Sequence, residues 1–215
     1  MGLVSFGVPD KEAEYLKELL ELDVFVEGGT YQGGTAKKMS GKFSKVITIE
    51  KSDVMFAKAK EVLNNYPNVT MLKGDTREHL PSVLDSSNNI LFWLDAHWSG
   101  GETYGQGDEC PLIEELEIIF DSDVSSVILI DDARCFLVPP PLPHDYTSWP
   151  TLVEIIRVMP KNWELVVHED VIYLLPGKIS DAFKIFLQKA ITEKYNKKVG
   201  FIQRVLEKVL KKMAV

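Results

Sequence analysis

The sequence predicts an α/β protein built on a doubly wound, mostly parallel sheet of seven strands. Three observations carry that expectation. Short apolar runs recur along the chain with helix-favouring segments between them, the first run leads into a glycine-rich turn, and two late runs are separated by only three turn-forming residues. With 215 residues, 45% of them hydrophobic and 26% charged, the chain has material for one α/β domain with a full core.

The elements follow in order. Asp10 to Leu22 places Ala13, Leu16, Leu19 and Leu20 on one stripe, which predicts a first helix with Asp10 as its cap. Val24 to Val26, Val46 to Ile49, Val69 to Leu72, Ile90 to Leu94 and Val127 to Ile130 read as buried parallel strands. Gly34 to Met39, Ser52 to Leu63, Thr76 to Val83 and Cys110 to Phe120 read as the crossover helices between them. Pro139-Pro140-Pro141-Leu142-Pro143 excludes helix and central strand, so a surface loop follows the fifth strand, either a lid or a rigid spacer. Ser148 or Thr151 caps the next helix, and Glu154 completes a capping box if the cap is Thr151. Glu164 to Val167 and Val171 to Leu175, joined by His168-Glu169-Asp170, predict an antiparallel hairpin that finishes the sheet.

Beyond it, Phe183, Phe186, Leu187, Ala190 and Ile191, and then Ile202, Val205, Leu206, Val209, Leu210 and Met213, fall at helical spacing. The expected division is a domain of residues 1–177 and a basic amphipathic helical extension of residues 178–215, packed on the domain or on a second subunit.

The net charge is −8, and it is unevenly spread. Lys178 to Val215 holds ten Lys/Arg against three Asp/Glu, a local +7 beside −15 for the remainder. An acidic body argues against nucleic acid, whose binding rests on neutralising many phosphates. The basic tail reads as a solvated helix face or as a contact with a homodimer partner or another acidic protein. No stretch is apolar enough for a membrane span and the N-terminus lacks the order of a secretory signal, so a cytoplasmic protein is expected. Cys110 and Cys135 read as reduced thiols.

The chemistry clusters at the predicted C-terminal strand ends. Glu27-Gly28-Gly29-Thr30-Tyr31-Gln32-Gly33 supplies an acid and glycines that let the backbone turn tightly and approach a ligand. The second strand ends in Glu50, placed to accept from both hydroxyls of a ribose, with Lys51 beside it. Gly74-Asp75-Thr76 ends the third strand, where a carboxylate meets an adenine amino group.

This succession resembles the class I S-adenosylmethionine (SAM) dependent methyltransferases, whose Rossmann-like fold opens with an acid and glycines rather than the dinucleotide GxGxxG. The resemblance covers about residues 22 to 175. It implies SAM as cofactor, with Glu27, Gly28, Gly29, Thr30 and Gly33 near its methionine part, Glu50 and Lys51 at the ribose, and Asp75 and Thr76 near the adenine.

The fourth strand delivers Asp95-Ala96-His97-Trp98-Ser99-Gly100-Gly101, and the fifth delivers Asp131-Asp132-Ala133-Arg134. Three converging carboxylates repel unless a hard cation, protons or a basic partner compensates. The pattern resembles metal-dependent O-methyltransferases, which implies a divalent metal, Mg²⁺ by preference, on Asp95, Asp131 and Asp132. The catechol-type lysine is missing, and His97 stands nearest as the base, a metal ligand or a structural residue. Asp95 meets the cofactor or the acceptor in either case. Without a metal, Asp95 or Asp131 caps the following helix and Asp132 is solvated.

Gly100 to Glu109 reads as an acceptor-binding loop, with Trp98, Tyr104 and Trp149 as aromatic faces for a sugar or aromatic acceptor, although Trp149 reads equally as core. His144-Asp145 reaches toward this constellation from the proline loop, whereas His79 and His168 read as structural or surface residues. The Leu-Asp-Ala-His-Trp-Ser-Gly-Gly run with Glu-Cys-Pro-Leu downstream is similar to methyltransferases associated with polysaccharide synthesis, which implies a sugar or glycan hydroxyl as acceptor. The rival expectations are metal-independent methylation of a small molecule or protein, a SAM-binding partner subunit without its own catalysis, and a nicotinamide dehydrogenase.

Overall fold

The structure, a computed structural model, describes residues 7–95, 97 and 108–213, with side chains to residue 197. The chain divides into two compact units at the Gly177–Lys178 junction. In the first unit seven strands, β1 Val24–Gly28, β2 Lys45–Glu50, β3 Val69–Lys73, β4 Asn89–Leu94, β5 Ser125–Ile130, β6 Trp163–His168 and β7 Val171–Pro176, form one sheet in the order β3-β2-β1-β4-β5-β7-β6. The first five are parallel, and β7 pairs antiparallel with both β5 and β6. This is the doubly wound sheet with terminal hairpin that the sequence predicts.

Burial follows position in the sheet. Ile90, Leu91, Phe92, Trp93 and Leu94 of central β4 are all buried, while the edge strands β3 and β6 are mostly half-buried. A strand covered on both faces carries a continuous apolar run, and an edge strand is relieved of that demand.

The helices are α1 Asp10–Leu20, α2 Gly34–Ser40, α3 Asp53–Leu63, α4 Thr76–Asp85, α5 Leu112–Phe120, α6 Arg134–Leu137, α7 Leu152–Val158 and α8 Gly177–Met213, with a 3₁₀ turn at Tyr146–Ser148. Thr151 caps α7 with the reciprocal Glu154 bond of a capping box. Asp10 does not cap α1. Pro9 holds that position, and Asp10 lies in the first turn, 2.8 Å from Lys38 Nζ and 3.4 Å from Lys42 Nζ. The single turn α6 has no apolar periodicity long enough to announce it.

The second unit is a single helical run. Where the spacing predicts two helices, α8 continues for 37 residues, because it contains no proline and Gly200 alone, worth about 1 kcal/mol against helix, does not interrupt it. No helix among the described residues is long and apolar enough to cross a membrane. Both cysteines are free thiols. Most of the glycine-rich stretch, with Trp98 and Tyr104, lies outside the described residues.

Candidate active site

The strand register sets Gly28 beside Ile49 and Leu94, and Leu94 beside Ile130. Asp95 N–H then bonds Gly28 O at 3.0 Å and Asp131 N–H bonds Leu94 O at 3.2 Å. The ends of β1, β2, β4 and β5 therefore stand in one row, at the reversal of strand order where open α/β sheets bind ligands.

After β1 the backbone folds back over β2. Gly29 and Thr30 donate N–H to Ile49 O at 3.0 and 3.2 Å. Gly29, Tyr31 and Gly33 all have left-handed φ, of 88°, 50° and 78°. Gly33 is held there by a second constraint, since a Cβ would lie 3.1 Å from Leu63 of α3. Glu27 is buried beneath this turn and accepts from Thr48 Oγ1 at 2.5 Å, and Thr48 Oγ1 lies 2.6 Å from Thr30 Oγ1. Burial, reinforced by Asp95 and Glu50 but opposed by the Thr48 bond, pushes its carboxyl up to about 8, so Glu27 is protonated at neutral pH.

Glu50 and Asp75 differ in what they leave free. Glu50 accepts Tyr31 N–H on Oε2 at 2.8 Å and Ser52 N–H on Oε1 at 2.7 Å, and Lys51 N–H also bonds its carboxylate. A carboxylate offers about four acceptor positions, so roughly one remains for a ribose hydroxyl. Asp75 has none left. Its Oδ1 takes Arg77 N and Nε, both at 2.9 Å, and its Oδ2 takes Arg77 Nη2 and Lys51 Nζ, both at 2.7 Å. The Arg77 bonds outweigh burial and hold its pKa below the usual carboxylate range. In this arrangement Asp75, expected near the adenine, caps α4 and anchors Arg77, Lys51 is its ion-pair partner, and Thr76 is buried as the first residue of that helix.

The three acids converge as expected, but their surroundings differ from a solvated or metal-ready cluster. His97 Nε2 lies 3.1 Å from Asp95 Oδ1 and 3.3 Å from Asp132 Oδ2, and the His97 side chain is 8% exposed. Neither ring nitrogen has a well-directed hydrogen-bond partner among the described residues. Burial pulls the imidazole pKa down, but Asp95, Asp132 and Asp131 together carry it above its ordinary value. Asp132, at φ 56°, gives its other oxygen to Arg134 Nη1 at 2.7 Å, and Arg134 also pairs with Asp170 of the hairpin turn. Asp131 Oδ1 accepts Asp132 N–H at 2.8 Å, and burial with the neighbouring Asp95 pushes its carboxyl up to about 7. Among the described residues neither Asp95 nor Asp131 caps a helix: Pro111 holds that position in α5 and Ala133 in α6.

The wall behind His97 has no single sequence signal. The Trp149 ring centroid lies 5.1 Å from that of His97 and 5.7 Å from that of Phe136. Glu109, 5% exposed at its side chain, accepts Trp149 Nε1 at 2.9 Å and Asp145 N–H at 3.1 Å, with His144 Nδ1 at 3.2 Å. Trp149 is thus core, as one of its two readings holds, and His144 reaches the site through it. Glu115 of α5 is buried on the other side, and burial pushes it up to about 8. With Leu94, Cys110 and Phe136, Glu115 and His97 line a small cavity. His79 Nε2 lies 3.0 Å from Lys73 O and His168 lies 3.9 Å from Glu169, both away from the cluster.

No protein-family model and no curated protein sequence matches the chain. Solved structures do. A Staphylococcus aureus protein assigned as a caffeoyl-CoA O-methyltransferase superposes with TM-score 0.55 at 13% identity, over 80% of this chain and 86% of that one. The cofactor-bound protein Rv0187 from MTB gives TM-score 0.51 at 16% identity, over 81% and 83%. The methyltransferase domain of the bacterial protein CtHen1-C gives 0.50 at 9%, over 76% and 93%. The chain has the Rossmann-like methyltransferase fold. At these identities the likeness concerns the fold, and the strand-end residues bear the argument about chemistry.

Proposed function

We propose that this protein binds SAM and transfers its methyl group to a hydroxyl oxygen of an acceptor. The observation that carries the reading is Glu50, a buried carboxylate at the end of β2 held by backbone N–H groups and keeping an acceptor position for a ribose hydroxyl. It stands beside the left-handed turn over Glu27 and at the strand-order reversal. In the transfer the new carbon–oxygen bond forms as the carbon–sulfur bond breaks, and the electron pair of that bond stays on sulfur to leave the thioether. The acceptor proton passes to a base.

Asp95 is the group that suits that base. It is the most exposed of the three acids, 31% at its side chain, and it follows the strand end beside Gly28. His97, read from the sequence as a base, a metal ligand or a structural residue, has both ring nitrogens buried. It acts through Asp95 as a positioning residue, and proximity does much of the remaining work.

The resemblance implies Mg²⁺ on Asp95, Asp131 and Asp132. Among the described residues no group of three His, Cys, Asp or Glu side chains is placed to hold a metal, and oxygens of Asp95 and Asp132 face His97 Nε2. The residues as arranged do not fit the ion, so no step runs through it. A sugar hydroxyl is the acceptor class that the resemblance implies.

Calorimetry with SAM, followed by S-adenosylhomocysteine release against a glycan panel, tests the reading. Asp95→Asn is expected to bind SAM normally and to lose turnover. Failure of the wild-type protein to bind SAM would sink the proposal, and undiminished turnover in Asp95→Asn would remove Asp95 as base.

A further inference from the structure

We infer that the His97 imidazole fills the metal position of the acidic cluster, seated against Asp95 and Asp132 where a divalent metal would otherwise have to stand. The inference starts from charge. Asp95, Asp131 and Asp132 lie at two adjacent strand ends, and carboxylates so placed need compensation. Two basic side chains face them. Arg134 Nη1 takes one oxygen of Asp132 at 2.7 Å, and His97 Nε2 faces the other at 3.3 Å while lying 3.1 Å from Asp95.

Space points the same way. A magnesium ion stands about 2.1 Å from each ligand oxygen and demands near-octahedral surroundings, mostly of oxygen. An imidazole nitrogen at 3.1 and 3.3 Å from two of those oxygens leaves no such shell unless the ring swings away. The ring is wedged against doing so. It packs on Trp149 at 5.1 Å, Trp149 is pinned by Glu109 at 2.9 Å and by Phe136, and the His97 side chain is 8% exposed. Asp131 has one oxygen already engaged, by the backbone N–H of Asp132 at 2.8 Å.

The test uses the metal alone on the full chain without SAM, so it stands apart from the methyltransferase reading on which the role of the cluster rests. Mg²⁺ and Mn²⁺ are titrated by calorimetry and, for Mn²⁺, by electron paramagnetic resonance, into the wild type, His97→Ala, His97→Gln and His97→Gln with Asp132→Asn. The wild type is expected to take up no stoichiometric ion. His97→Ala or His97→Gln is expected to gain one ion per chain, bound at least about tenfold more tightly than any wild-type uptake, and the added Asp132→Asn change is expected to abolish it. Thermal unfolding guards against a misfolded variant: a midpoint lowered in His97→Gln should be partly restored by Mg²⁺, and the wild-type midpoint should not respond. One ion bound stoichiometrically by the wild type would overturn the inference and make His97 a ligand or a bystander. A silent wild type with no gain in either single variant would overturn it too, because the acids would then be compensated without the imidazole.

Discussion

Trp149 donates its indole N–H to Glu109 across 2.9 Å, and this contact fixes the aromatic wall against which His97 rests. The same carboxylate also holds Asp145 N–H and His144. Glu109→Ala leaves a buried indole donor and a backbone donor without their acceptor, at about 1–3 kcal/mol for each orphaned group. Urea unfolding is expected to show a loss of that order, with a smaller loss in Glu109→Gln, whose amide oxygen still accepts. If Glu109→Ala unfolds at the wild-type midpoint, the anchor is not structural.

The elements that frame this wall differ in how legible they are in the sequence. The parallel strands are, because burial on both faces forces continuous apolar runs such as Ile90 to Leu94. The capping box at Thr151 and the Glu169-Asp170 turn, with φ of 47° and 72°, are local chemistry and so equally readable. What escapes is side-chain pairing between distant residues that lie outside the predicted row of strand ends. Glu109 meets Trp149 40 positions away, and Arg134 meets Asp170 36 positions away. The role of Asp75 escapes for a related reason: its position after β3 is readable, but the four donors that saturate it are not.

Glu50 and Asp75 therefore respond to substitution in different ways. Glu50→Gln removes the charge that a ribose diol would bond, and a hydrogen bond to a charged group is worth about 1.5–3 kcal/mol, roughly a 10- to 150-fold weakening. Calorimetry with S-adenosylhomocysteine should read that loss, beside a lower thermal midpoint, because the single amide oxygen cannot hold both backbone N–H groups that Glu50 bonds on separate oxygens. Asp75→Asn breaks the bidentate Arg77 pair and the Lys51 contact, so the midpoint should fall and affinity change less. The reverse pattern would return the adenine contact to Asp75.

Gly33→Ala tests the turn. Its φ of 78° costs an alanine about 1–2 kcal/mol, and the new Cβ meets Leu63 at 3.1 Å. Gly34→Ala, one residue on, meets nothing within 4 Å and starts α2, where alanine is favoured by roughly 0.5–1 kcal/mol. Urea midpoints should move in opposite directions for the two neighbours. Equal shifts would mean that Gly33 is not confined to the left-handed region.

Two buried glutamates set a pH dependence of opposite sign to ordinary acid denaturation. Glu27 and Glu115 each rise from 4.5 to about 8, burial being the leading cause for both. Asp131 rises from 3.8 to about 7 for the same leading reason. Between the unfolded and folded values the native chain keeps protons that the unfolded chain has lost. Stability contributed by these groups is therefore complete below about pH 4 and falls as pH rises through the window to about 8. Asp75 works in the other direction, but its depressed pKa confines its effect to more acid solution, below its ordinary 3.8. The cofactor-free protein should accordingly unfold at lower urea at pH 8 than at pH 5, by linkage over that interval. Glu115→Gln, which never ionises, should flatten part of the slope without touching Glu50 or the turn over Glu27. A slope in Glu115→Gln equal to that of the wild type would mean that Glu115 ionises in the native state, with water or a neighbouring group supplying the partner its Oε1 lacks among the described residues.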